Sequence, residues 1–291
     1  RCGVLLPLCP GDLRASLAGH TEGLRLSWSG QLGNGFPESA VLCYAAMGED
    51  PFTLMAAAID MVQHETTTFR TRDSKPVPPY IDYLGWCTWD AFYHDVDADK
   101  VIRGLRSFEK TGVRPGFLIL DDGWGDANGL FLNDFRPDPA KFPDGLAPLV
   151  DRCRRDFGLR IFGIWHALEG YWTGVDPDGS LGRRFPVLPN RGRIRPWEGE
   201  NEEERQLSLV EPEHAARFFA EFHRDLAEAG VDMVKVDNQG ALEAFSSGHR
   251  GRGAAVRAYQ EALQNSACAR FGNNVIHCMS NGIDVAYNLF A

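Results

Sequence analysis

The sequence predicts an α/β fold: a (β/α)8 barrel of the TIM type carried through about five of its strands, behind a β-rich segment. Three observations support this. Beyond residue 80, short apolar runs alternate with helical runs, the pattern of a parallel sheet with helical crossovers. The runs are nearly continuously apolar, as strands covered on both faces must be. Most of them also end in polar or aromatic side chains, at the strand end where parallel α/β folds build their sites.

The strand runs are Tyr83–Trp89, Phe117–Leu120, Arg160–Trp165, Asp232–Val236 and Asn274–Met279. After the first, Val101, Leu105 and Phe108 share a helical face, and Gly112 fits the C-terminal cap. Leu146, Leu149, Val150, Cys153 and Phe157 repeat the pattern, closed by Gly158. Pro212 opens a third helix where a missing N–H is tolerated. Phe218, Phe219, Phe222 and Leu226 follow, with Gly230 at the end, and Val256, Tyr259 and Leu263 mark a fourth. Alternation alone leaves open both a doubly wound sheet and a closed barrel. No GxGxxG follows the first strand, which weakens the dinucleotide-binding version.

Residues 1–65 read as β-rich. Leu24, Leu26 and Trp28 alternate with Arg25, Ser27 and Ser29, the period of a half-buried strand. Gly30, Gly33, Asn34 and Gly35 signal a turn. A short helix after Pro51 carries Phe52, Met55, Ile59 and Val62. Residues 66–80, rich in Thr and Pro, read as a linker to a domain over 81–291.

With 291 residues, 44% of them hydrophobic, the chain can bury a sizeable core. A net charge of -10 repels phosphate backbones and argues against nucleic acid, while a neutral sugar is indifferent to it. No apolar run approaches the roughly 18 residues of a membrane helix. Seven cysteines without a CxxC pair suggest reduced thiols and a cytoplasmic setting. The chain begins at Arg1, so its natural start is expected to be missing. Oligomeric state has no signal.

The strand ends carry Trp89-Asp90, Asp121-Asp122 before Gly123-Trp124, Trp165-His166, Asp237-Asn238-Gln239 and, more mildly, Ser280-Asn281. A single strand-end Asp usually caps the next helix; the recurrence is the signal, because a parallel sheet gathers these ends at one mouth. Lys235 and Asp237, two apart on one strand, face the same way. Among Met233, Val234 and Val236 neither charge is buried cheaply alone. Paired, they offset each other, and the lysine favours the ionised carboxylate that a nucleophile needs. A purely structural ion pair is the competing reading.

Asp121 and Asp122 suit bidentate recognition of neighbouring sugar hydroxyls, or a metal; without an H-x-x-x-H pattern, neither metal nor other cofactor is expected. Trp86, Trp89, Trp124, Trp165 and Trp172 fall near the same end and suit stacking on a pyranose ring, although at least two are expected in the core. His166 is placed in a binding role there. The stretch from Trp165 to Pro212 exceeds the usual connection of about two to six residues. Its start, with Tyr171 and Trp172, reads as pocket cover, and its acidic run Glu198–Glu204 as a solvated loop. Retaining glycoside cleavage takes two carboxylates. Asp237 fits the nucleophile, and no residue fills the proton-donor role.

Four ordered motifs carry a resemblance. They are Gly85-Trp86-Cys87-Thr88-Trp89-Asp90-Ala91-Phe92-Tyr93, then Leu120-Asp121-Asp122-Gly123-Trp124, then Trp165-His166-Ala167 with Gly170-Tyr171-Trp172, then Val234-Lys235-Val236-Asp237. Together they resemble the raffinose synthase and seed-imbibition-protein (alkaline α-galactosidase) branch of glycoside hydrolase family 36, over roughly residues 80–291. The resemblance implies a retaining α-galactosidase, or a galactosyltransferase moving galactose from galactinol to sucrose. It implies a barrel behind an N-terminal β-sandwich, of which residues 1–65 would be the end. Asp237 would be the nucleophile, Asp121 and Asp122 would hold galactose hydroxyls with Lys235 assisting, and Trp86 and Trp124 would line the pocket. The family's acid/base lies in a later Asp-Asp motif that this sequence lacks, so the barrel is expected to be cut short. Asn238-Gln239 is more similar to the microbial hydrolase-type members. The implied partner is an α-galactoside or related oligosaccharide. A non-catalytic sugar-binding protein is the reading from another class.

Overall fold

The computed structural model describes residues 1–30, 37–196, 201–249 and 251–291. The turn signalled at Gly33, Asn34 and Gly35, and Glu198 and Glu200 of the acidic run, lie outside the described residues.

In the N-terminal segment, β1 (Cys2–Pro7), β2 (Leu13–His20), β3 (Gly23–Gly30) and β4 (Cys43–Gly48) make two antiparallel pairs, β1 with β4 and β2 with β3. Helix α1 (Pro51–Thr66) begins where expected; the Asp50 side chain accepts from the Thr53 N–H, and Pro51 occupies the first turn. The strand read as half-buried is β3, but Leu24, Leu26 and Trp28 are 70%, 43% and 48% exposed. Alternation fixes which residues share a face; burial needs a second layer over that face, and periodicity says nothing about whether one is there. Likewise α1 buries Ala58 and Val62 while Phe52 and Met55 point outward.

The remaining elements follow in order: β5 (Gly85–Cys87), α2 (Trp89–Phe92), α3 (Ala98–Thr111), β6 (Phe117–Leu120), β7 (Gly125–Asn128), β8 (Phe131–Pro137), α4 (Ala147–Phe157), β9 (Ile161–Ala167) and α5 (Ser180–Arg184). Then come β10 (Val187–Ile194), β11 (Glu203–Val210), α6 (Ala215–Glu228), β12 (Met233–Asp237), α7 (Leu242–Ser246), α8 (Arg252–Phe271), β13 (Val275–His277) and α9 (Ile283–Ala286). The five expected runs form one parallel sheet ordered β5-β6-β9-β12-β13. Each strand lies beside its predecessor in the chain. A doubly wound sheet reverses its order at a switch point; winding in one direction is how a barrel lays down its strands.

The sheet has two faces with different cores. Leu118, Leu120, Phe162, Ile164, Val234 and Val236 meet the helices in the main cluster. Ile119, Ile161 and Met233, with Phe117 and Ile276 against them, fill the opposite, inner face. Gly112 and Gly158 cap α3 and α4 in the left-handed conformation, at φ 75° and 69°. Pro212 starts a 3-10 turn, and the α-helix proper begins at Ala215.

Two hairpins escaped the sequence reading. The β7–β8 pair turns through Gly129-Leu130, with Gly129 in the left-handed region at φ 61° that tight hairpins need at the first loop position. The long connection after β9 holds the β10–β11 pair, so Glu203 and Glu204 of the acidic run belong to a strand rather than a loop. Among the described residues no helix is long and apolar enough to cross a membrane.

Candidate active site

Strand alternation decides what reaches the inner face. In β12, Met233, Lys235 and Asp237 point inward while Val234 and Val236 join the helix-side core. Cross-strand register then sets the levels. Lys235 pairs with Trp165, and Ile119 pairs with Gly163, so Asp121, two residues past Ile119, is level with both Trp165 and Lys235.

The outcome is an ion pair between strands separated by β9. Lys235 Nζ lies 2.7 Å from Asp121 Oδ2, with the carboxylate side chain 4% exposed. Burial works against the lysine charge, but Asp121 overrides it and holds the ammonium above its ordinary range. The sequence reading gave Lys235 to Asp237; the register gives it to Asp121 instead. Asp121 Oδ2 also accepts from Cys87 Sγ at 3.0 Å, and Oδ1 from the Asp122 N–H at 3.0 Å. Its own N–H donates to Thr88 Oγ1 at 2.9 Å. Burial, reinforced by the Asp121 charge, pushes the Cys87 thiol up to about 12, so it remains a donor.

Asp237 is held by other groups. Trp165 Nε1 donates to Oδ2 at 3.0 Å, and the Asn238 N–H donates to Oδ1 at 2.7 Å. The Cys278 thiol, beyond β13, is pushed up to about 11 by burial and then by Asp237, to which it hydrogen-bonds. Asp122 follows the end of β6, where the chain has begun to turn, and is 1% exposed. Its Oδ2 accepts from Trp172 Nε1 at 2.6 Å and faces His94 Nε2 at 2.9 Å. The Trp165 and Trp172 rings, 5.5 Å apart, connect the two acidic centres. Cys87, Asp121, Trp165, Lys235 with Asp237, and Cys278 thus bring one contribution from or just beyond each of the five strands.

Four of the expected binding residues take other contacts. Trp86 alternates with Cys87 and faces the helices, against Phe92 and Phe108; a Cβ on Gly104 of α3 would come within 2.0 Å of its ring. His166 alternates with Trp165 and lies 3.2 Å from His223 of α6, between Phe219 and Phe222. Two consecutive strand residues cannot both face the mouth. Trp124 is 3% exposed, packs against Phe222, and donates its one polar hydrogen to the Trp165 carbonyl at 2.7 Å. Trp89 starts α2 and packs edge-on to Tyr93 and His94.

Cys87, His94, Glu169 and Cys278 are not among the site residues expected from the sequence, and Asn238 figures there only as a strand-end residue and a family trait. Counting by two along β5 would have found Cys87. His94 and Glu169 lie on turns with no period to read. Among the described residues, no group of three or more His, Cys, Asp or Glu side chains is arranged to hold a metal ion.

The chain is 34% identical to the probable galactinol–sucrose galactosyltransferase 6 of Arabidopsis thaliana, over 98% of this chain and 42% of the relative. The fold is similar to the α-galactosidase of Thermus thermophilus solved with stachyose: TM-score 0.61, 22% identity, 96% of this chain and 53% of that one. It is also similar to the family 36 α-galactosidase AgaA of Geobacillus stearothermophilus: TM-score 0.58, 19% identity, 99% and 41% coverage. The chain therefore spans about two fifths of the length of the curated relatives it matches. The family described as raffinose synthase or seed imbibition protein Sip1 matches residues 2–130 and 131–289, and this chain belongs to that family.

Proposed function

We propose that this chain carries the nucleophile and the galactose-holding carboxylates of a retaining enzyme acting on α-galactosides. The observation that carries the reading is the ring of inward groups around Asp237, Lys235 and Asp121, fixed by parallel-strand register. Asp237 attacks the anomeric carbon as the glycosidic C–O bond breaks; the leaving oxygen takes a proton from a separate acid. Two N–H groups on its carboxylate support a group that is charged before attack. Asp121, Lys235 and Asp122 hold sugar hydroxyls, and Trp165 and Trp172 form the aromatic wall beside them.

No described carboxylate is assigned the proton-donor role. Asp121 is ion-paired, Asp122 accepts at the same oxygen that faces His94, and Glu169 is buried. Residues 1–65 are read as the end of a β-sandwich and 66–80 as its connection to the barrel. Seven free cysteines support a cytoplasmic setting.

Whether water or a sugar hydroxyl takes the galactosyl group in the second step separates a hydrolase from a transferase. The names of the relatives favour transfer to sucrose. The test is turnover of an aryl α-galactoside by the full-length protein and its Asp237→Ala variant. The variant should lose activity, and unchanged turnover would reject the nucleophile. Products formed from galactinol with sucrose present then decide the acceptor; galactose alone excludes the synthase.

A further inference from the structure

Behind Asp237 lies a carboxyl group that the proposed reaction leaves unused. Glu169 sits two residues past β9 and is 1% exposed. Its Oε2 accepts from Asn238 Nδ2 at 3.1 Å, and the same amide nitrogen reaches the Trp172 carbonyl at 3.4 Å. Asn238 is in the left-handed region, at φ 61°. A non-glycine residue holds that conformation when its surroundings over-determine it. Held there, its backbone N–H points at Asp237 Oδ1, 2.7 Å away. The turn that carries Glu169 is tied to the same place, because the Leu168 N–H donates to the Asp237 carbonyl at 2.9 Å.

Glu169 Oε1 has no hydrogen-bond partner among the described residues. Burial first, and the nearby Asp237 charge after it, push its carboxyl well above the usual carboxylate range. Burial therefore favours the neutral form of this carboxyl over the charged one. Its side-chain hydrogen bond goes to Asn238, not to the groups around Asp121 and Lys235. What it can do is hold Asn238.

We propose that Glu169 is a positioning residue that fixes the direction of the Asp237 carboxylate through Asn238. The inference rests on Asp237 being the nucleophile. A suitable probe is 5-fluoro-α-galactosyl fluoride on the full-length protein. Its C1–F bond breaks, fluoride leaves with the electron pair, and a C1–Oδ bond to Asp237 forms, so no proton donor is needed. The labelling amplitude counts folded sites, and the rate constant reports attack at each site.

In Glu169→Ala the labelling rate constant should fall about tenfold to a hundredfold, the scale of a nucleophile misplaced by about an ångström. Glu169→Gln keeps an oxygen that accepts from Asn238 and should label within about twofold of the parent. Asn238→Ala should slow labelling like Glu169→Ala, and the double variant should be no slower than the slower single, because both act through one contact. A merely structural Glu169 would lower the amplitude and leave the rate constant intact. That result, equal slowing in the Gln and Ala variants, or additive effects in the double variant would overturn the proposal. A parent that is unlabelled, or labelled away from Asp237, would overturn the nucleophile assignment and this inference with it.

Discussion

Replacing Lys235 with methionine tests the frame of the site most directly. The substitution keeps the length of the side chain and removes the ammonium that lies 2.7 Å from Asp121. At that distance the gross attraction is roughly 6 kcal/mol for an effective dielectric of about 20. Desolvation of both ions offsets much of it: the lysine side chain is 20% exposed and the aspartate 4%. What remains after Lys235→Met is a buried carboxylate with the Cys87 thiol and the Asp122 N–H as partners. Leaving one charge of a buried pair uncompensated costs about 3–5 kcal/mol, and the two remaining donors place the expectation near about 3 kcal/mol. For a chain of this size that is about 6 °C in melting temperature. Urea unfolding at neutral pH followed by circular dichroism measures it. Adding Asp121→Asn should recover about 2 kcal/mol of the loss, since a neutral amide is cheaper to bury alone than a carboxylate. A loss below about 1 kcal/mol for Lys235→Met, or a double variant as unstable as the two singles summed, would refute the pairing.

Other outcomes follow from the same contacts. Trp165→Phe removes the N–H donated to Asp237 Oδ2 and should lower kcat/KM on an aryl α-galactoside by about one to two orders of magnitude; unchanged kinetics would place that indole outside the chemistry. Gly104→Ala drives a methyl into the Trp86 ring and should cost about 1–3 kcal/mol of stability, with no loss of turnover at temperatures where the variant is folded. Burial depresses His166 to about 4 and His223 well below the ordinary histidine value, the neighbouring His166 adding to the effect on His223. The unfolded chain then binds more protons than the folded one below about pH 6.5, so the full contribution is present above that pH and is lost as pH falls. His166 alone should remove about 3 kcal/mol by pH 4. Urea midpoints at several pH values check this, and an acid limb equally steep in His166→Asn would count against it.

Much of the fold was legible because its signals are local. Gly112 and Gly158 end their helices through a backbone conformation available to glycine, and Lys235 and Asp237 share a face because a strand repeats every two residues. The same rule, applied more strictly, excludes His166 from the mouth once Trp165 faces it. Trp86 needed one further fact, that Gly104 leaves room for its ring on the helix side. The exposure of Leu24, Leu26 and Trp28 was not legible, because periodicity describes a face without saying what covers it. Tryptophans are a poor guide for a related reason: a large ring near a strand end is equally at home in either layer, and Trp124 took the core.

Local patterns along the chain suffice for the parallel sheet, for the set of acids at its strand ends and for Lys235 and Asp237 sharing one face. Which carboxylate the lysine meets was decided by tertiary structure. Asp121 and Lys235 are separated by 114 residues in the chain and by one intervening strand in space. Their contact depends on two hydrogen-bonded registers, β6 on β9 and β9 on β12. Register is a property of strands already paired, where a shift of one residue turns every side chain to the opposite face, and no local pattern encodes it.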